Sequence, residues 1–171
     1  IPWIEGIVNN GIASAVCGEP INVDWSVAPD GFPTMPGDQL AGEQKKVNSV
    51  LGKANIQFSA FAPIFATKME KADDGSPVLV GDGLIKTRED FEKLFKLPSP
   101  GDASFVENAR KLVASKDEYC ACACIRLGIG ATLLSMGIEA FSYAMVDDPG
   151  LIRDVHRGYA DWTAEVVPIL E

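Results

Sequence analysis

Glu118-Tyr119-Cys120-Ala121-Cys122-Ala123-Cys124-Ile125-Arg126, followed closely by Gly128-Ile129-Gly130, is the stretch whose reading decides the fold. From Tyr119 to Ile125 the residues are continuously small and apolar, the pattern of a strand buried on both faces of a parallel sheet. Arg126 breaks the run, Gly128 and Gly130 supply a flexible turn, and Ala131 to Met136 begin a helical pattern. Asp148-Pro149 then opens a second helix, with a capping carboxylate followed by proline in the first turn. Beyond it Leu151, Ile152, Val155, Tyr159, Trp162 and Val166 recur at helical spacing, so this helix has a face to bury and the strand upstream is the candidate. Strand, glycine loop and helix in that order form a βα unit, and the expectation is an α/β fold of the (β/α)8 barrel type.

Two further strands are expected to lie beside this one. Trp3 to Val8 is the first, followed by a short helix from Ile12 to Cys17 that stops at Gly18. Ile56 to Phe61 is the second, preceded by a helix from Glu43 to Leu51 that stops at Gly52 and ending at Pro63. Between them, residues 28–42 are rich in proline and glycine and read as a surface loop or a lid. Residues 64–86 read as an excursion from the main fold, two extended stretches around Asp73-Asp74-Gly75, whose Asp-Gly is a hairpin signal. Thr87-Arg88-Glu89-Asp90 is a helix start with a capping hydroxyl and acidic first turn, and Phe91, Leu94 and Phe95 form its buried stripe. Asp102 caps another helix, with Phe105, Ala109, Leu112 and Val113 on one side.

The chain has 171 residues, whereas a complete eight-unit barrel takes about 250, so residues 1–171 are read as a single domain, the N-terminal half of such a barrel. Three buried strands with open edges call for a partner, either another copy or the remainder of the barrel. The formal net charge of −9 argues against nucleic-acid or anionic-membrane binding, both of which need a cationic face. No arginine precedes Arg88, so an anion site in the first half must use lysine or backbone amides. No membrane span or basic-then-apolar leader is evident, and the expected location is the cytoplasm. Cys120, Cys122 and Cys124 fall on one strand face at steps of about 6.6–7 Å, too far for intrastrand disulfides, and are expected to pack as reduced, small apolar groups.

The run Leu84-Ile85-Lys86-Thr87-Arg88-Glu89-Asp90-Phe91-Glu92-Lys93-Leu94, closing with Leu97-Pro98-Ser99-Pro100, resembles the uroporphyrinogen decarboxylase superfamily. The opening Ile1-Pro2-Trp3-Ile4-Glu5-Gly6 looks like its first strand and Leu51-Gly52-Lys53-Ala54-Asn55-Ile56 like its second. Gly137-Ile138-Glu139-Ala140-Phe141 through Asp147-Asp148-Pro149 looks like the helix pair after its third. The resemblance implies a (β/α)8 barrel and one of two chemistries, tetrapyrrole decarboxylation or methyl transfer to or from a corrinoid carried on a partner protein. The decarboxylases hold their polycarboxylate substrate with an arginine-rich motif soon after the first strand, where this chain has no arginine. Their glycine loop leads to a tyrosine near the substrate, where Ser135 is the nearest equivalent. The methyltransferase branch is therefore the better match, with decarboxylation of a tetrapyrrole or other acid, or a non-catalytic binding module or fragment, as alternatives. The resemblance also implies that any zinc site would come from the absent C-terminal half; no metal site is expected within residues 1–171.

Barrel chemistry gathers at the carboxyl ends of the strands, which selects the candidate residues. Glu5, among Trp3, Ile4 and Ile7, is the candidate acid, its proton affinity raised by desolvation, for protonating a leaving oxygen; the alternative is a solvated or lysine-paired carboxylate. Arg126, beside Gly128 and Gly130, is placed to hold a carboxylate, phosphate or corrinoid side group, or to make a structural ion pair. Phe61, with Trp3, would form an apolar wall for substrate or belong to the core. Tyr143, Met145 and His156 are expected to be structural.

Overall fold

In the computed structural model, which describes residues 10–23, 35–66, 69–71, 77–79, 82–101, 103–125 and 128–170, helix ends fall at the caps the sequence supplies at Gly52, Thr87 and Asp148. The first two are α1 (Asn10–Cys17) and α2 (Gly37–Leu51), the latter closed by Gly52 in the left-handed conformation at φ 72°. Strand β1 (Asn55–Ala60) follows, then the short strands β2 (Met69–Lys71) and β3 (Pro77–Leu79). Helix α3 (Arg88–Leu94) starts with a complete capping box: Thr87 Oγ1 accepts from the Asp90 N–H while the Asp90 carboxylate accepts from the Thr87 N–H. Then come α4 (Ala103–Ala114), β4 (Cys120–Ile125), α5 (Ile129–Met136), α6 (Ile138–Asp147) and α7 (Pro149–Val166), ending in a 3₁₀ turn over Val167–Ile169. Asp148 caps α7 by accepting from the Leu151 N–H, with Pro149 as the first helical residue.

The barrel expectation is overturned. The described residues are mostly helical, with one two-stranded parallel sheet, β1 beside β4, and a separate two-stranded antiparallel sheet, β2 beside β3. The runs beginning at Ile56 and Tyr119 do lie side by side in the same direction, Asn55 opposite Cys120 through Ala60 opposite Ile125. The third expected stave, Trp3 to Val8, lies outside the described residues. A physical reason for the small sheet is visible on β1. Gln44 of α2 donates from Nε2 to the Gln57 carbonyl at 2.6 Å and accepts the Gln57 N–H at 2.6 Å. Asn48 adds a bond to the Asn55 carbonyl at 2.5 Å. Helix side chains thus occupy backbone groups through which a further strand would pair, a means of blunting a sheet edge.

Strand β4 is not buried on both faces. Cys120, Ala123, Cys124 and Ile125 are exposed and Ala121 and Cys122 half-buried, so the cysteines do not pack as core groups. The helices gather on β1 instead, α2 against the strand and α4 against α2. Alanine and cysteine side chains offer little apolar area, and a run of them carries the composition of a buried strand without its burial energy. The excursion is present as β2 and β3, extended by a bridge between Ala66 and Gly83; its Asp73-Asp74-Gly75 turn lies outside the described residues.

One core joins Ile56, Phe58 and Ala60 of β1 to Leu112 of α4, Ala131 and Met136 of α5, and the α7 stripe Leu151, Val155, Tyr159, Trp162 and Val166. Phe95 packs edge-on to Tyr159, ring centroids 5.1 Å apart, and lies near Phe91 and Phe65. Gly158 makes room for it: a Cβ there would stand 2.4 Å from the Phe95 ring. A second, smaller cluster holds α1 to α2 through Ala13, Ile21, Val23 and Val47.

Candidate functional site at the strand ends

Because β1 and β4 are parallel and in register from end to end, their carboxyl termini, Ala60 and Ile125, open on the same side of the molecule. Phe61, half-buried, leaves β1 there, followed by buried Ala62 and Pro63. Gly128, buried, precedes α5 with φ 25°. Gly130 is not in a loop, as expected, but in the first turn of α5. Trp3, Glu5 and Arg126 lie outside the described residues, so of the candidate set the structure places Phe61, Gly128 and Gly130 at this end.

The segment after β1 is held by a closed relay of hydrogen bonds. The Phe65 N–H donates to Ser135 Oγ at 3.0 Å, and the hydroxyls of Ser135 and Tyr159 are 2.7 Å apart. Tyr159 in turn donates to the Pro63 carbonyl at 2.9 Å. Only one direction satisfies every member: Ser135 donates to Tyr159, leaving its oxygen free to accept from Phe65. All of these groups are buried or half-buried, so the relay positions the segment between Phe61 and Phe65 rather than offering a reactive hydroxyl. Tyr159 supplies a phenol at this end of the sheet, where the resemblance offers only Ser135.

His156, one turn before Tyr159 on α7, also reaches the strand ends. Its ring lies against Gly128, where a Cβ would stand 2.3 Å from Nδ1. That Nδ1 is buried and has no hydrogen-bond partner among the described residues. Its place on a helix far along the chain had suggested a remote structural role; the helical offset of three from Tyr159 is the signal that puts both on the side facing the turn.

Two described segments at this end carry no charge. From Ala60 to Phe65 and from Gly128 to Thr132 no residue is charged. One described cation, Arg88, lies elsewhere, lining a cavity of about 480 Å³ with Asp82, Lys86, Glu139 and Tyr143. Arg88 is already held by Asp154 at 2.7 Å and Asp148 at 2.9 Å, bonds that raise its proton affinity further and hold the Asp148 carboxyl below the usual range. Lys86 is paired with Asp82, whose carboxyl is lowered by that bond. Saturated by carboxylates, this cavity is poorly suited to anions.

Among the described residues no group of three His, Cys, Asp or Glu is placed to hold a metal ion. No single helix among them is long and apolar enough to cross a membrane. Tyr143 and Met145, expected to pack, are instead exposed on α6. Comparison with protein-family models, curated proteins and solved structures finds no match for this chain.

Proposed function

We propose that this chain works as a uroporphyrinogen decarboxylase-like methyltransferase, moving a methyl group from a small methylated donor, a methyl ether or similar, to a corrinoid carried on a partner protein. The motif resemblance supports the enzyme class, and one observation favours this branch: the described strand ends are uncharged and apolar, and Arg88 is already occupied by two carboxylates. A polycarboxylate tetrapyrrole needs several free cations at its binding surface, whereas a small methylated donor needs an apolar wall and one acid.

In this reading the corrinoid supplies the nucleophile and is the methyl acceptor. Glu5 gives its proton to the leaving oxygen as the methyl–oxygen bond breaks, so that the donor departs as a neutral alcohol. Phe61 and Trp3 exclude water along the donor, Gly128 and Gly130 let backbone approach it, and Arg126 holds an anionic group of donor or acceptor. The relay through Ser135 and Tyr159 keeps the Phe61 segment in place.

The test uses the full-length protein with a panel of methylated donors and a reduced corrinoid carrier, following the carrier's visible spectrum. Conversion to the methylated carrier with at least one donor class is the expected result. Absence of methylation with every donor class, or decarboxylation of a tetrapyrrole by the same preparation, overturns the proposal.

A further inference from the structure

Cys120, Cys122 and Cys124 share one face of β4, with Asn55, Gln57 and Ser59 across from them on β1. Cys120 is exposed and Cys122 half-buried, and their sulfurs are 3.9 Å apart. We propose that Cys120 and Cys122 form a two-thiolate chelate for a soft, low-coordinate d¹⁰ cation, Cu(I) being the best fit.

The spacing selects chelation over oxidation. A disulfide needs the sulfurs at about 2.05 Å and usually Cα atoms within about 6.8 Å, with Cβ vectors that converge. Alternate residues of a strand stand about 6.6–7 Å apart with parallel Cβ vectors, at the limit of that range. Register with β1 resists the bend that closure would need. Two metal–thiolate bonds of about 2.3 Å, by contrast, span 3.9 Å at an S–metal–S angle of roughly 115°, close to trigonal.

Ligand number selects the ion. Zinc in a closed site takes four ligands, and the described residues bring no third His, Cys, Asp or Glu into reach. Cu(I) is favoured by soft thiolates, and at this angle the two sulfurs leave its third, trigonal position to a small ligand from solution. Two Cu–S bonds form as each sulfur binds as thiolate, any thiol proton passing to solvent, with no change of oxidation state.

The experiment titrates Cu(I) anaerobically into reduced full-length protein against a chromogenic Cu(I) chelator. One Cu(I) per chain is expected. Cys120→Ser and Cys122→Ser should each weaken binding at least roughly 100-fold, since each removes one of two bonds, while Cys17→Ser leaves it unchanged. Circular dichroism checks that the variants fold. Independently of any variant, bound Cu(I) should protect Cys120 and Cys122 from alkylation while Cys17 is labelled as before. Equal affinity in wild type and both serine variants, or no protection of Cys120 and Cys122, overturns the assignment.

Discussion

The Ser135 and Tyr159 hydroxyls lie 2.7 Å apart, joining α5 to α7 and, through Pro63 and Phe65, both helices to the segment leaving β1. Tyr159→Phe keeps the ring against Phe95 but deletes the donor to the Pro63 carbonyl and the acceptor for Ser135. Two buried groups lose a partner, so a loss of about 1–3 kcal/mol is expected, measured by urea denaturation. A Tyr159→Phe variant as stable as the parent would show that the relay contributes nothing.

Glycines 37 and 42, both in α2, should respond oppositely to alanine. A Cβ at Gly37 would stand 1.9 Å from the Asn108 carbonyl oxygen on α4, whereas one at Gly42 meets nothing within 4 Å. Backbone cannot yield as a side chain can, so Gly37→Ala is expected to cost about 1–3 kcal/mol by forcing α2 and α4 apart. Gly42→Ala is expected to gain about 0.4–1 kcal/mol from the unfolded-state entropy it removes. Thermal melts of the two single variants check the contrast.

Those same glycines explain part of what the sequence concealed. The helix ending at Gly52 was legible, but its start was placed at Glu43 rather than Gly37, because Pro36-Gly37 and Gly42 look like loop residues. Its buried stripe includes Gln44 and Asn48, polar residues that serve β1 rather than the apolar core. Local chemistry read well: the Thr87 capping box, Asp148-Pro149 and the parallel pairing of β1 with β4 all follow from side chains within a few residues or from a strong apolar run. The barrel did not follow, since whether a strand gains a second neighbour depends on groups distant in sequence. The exposure of Cys120 and Cys124 was hidden for the same reason. At the strand ends Phe61 and Gly128 were legible, while His156 and Tyr159 arrive from a helix whose docking no local pattern specifies.

Arg88 should make the molecule more sensitive to acid. The Asp148 carboxyl, held below its ordinary value first by its bond to Arg88, binds a proton less readily folded than unfolded. Its stabilisation is therefore fully present above the ordinary aspartate value of about 3.9 and is lost as the pH falls through the lower folded value. Arg88→Met should melt at slightly lower temperature near pH 6 and show a shallower decline below about pH 4, the difference shrinking in high salt. Melting temperatures across that range check it; parallel curves would assign the acid response elsewhere.

Under the proposed methyl transfer, Glu5→Gln removes the proton donor but keeps the shape. A loss in kcat of about 10²–10⁴-fold is expected with an alkyl methyl ether, whose leaving oxygen needs protonation. With a phenolic methyl ether carrying electron-withdrawing groups the loss should be much smaller, because that oxygen departs unaided. Equal losses with both donors would remove Glu5 from the acid's role while leaving methyl transfer itself untouched.

Gly128 and His156 should prove coupled. At φ 25° and with a Cβ only 2.3 Å from the His156 ring, Gly128→Ala carries two costs, backbone strain and displacement of the imidazole. His156→Ala removes the second but not the first, so the cost of Gly128→Ala should fall in the His156→Ala background without vanishing. A double-mutant cycle by urea denaturation is expected to show about 0.5–3 kcal/mol of coupling, the range for residues in contact. Strict additivity would mean that the glycine answers to backbone conformation alone and that the histidine does not shape the turn after β4.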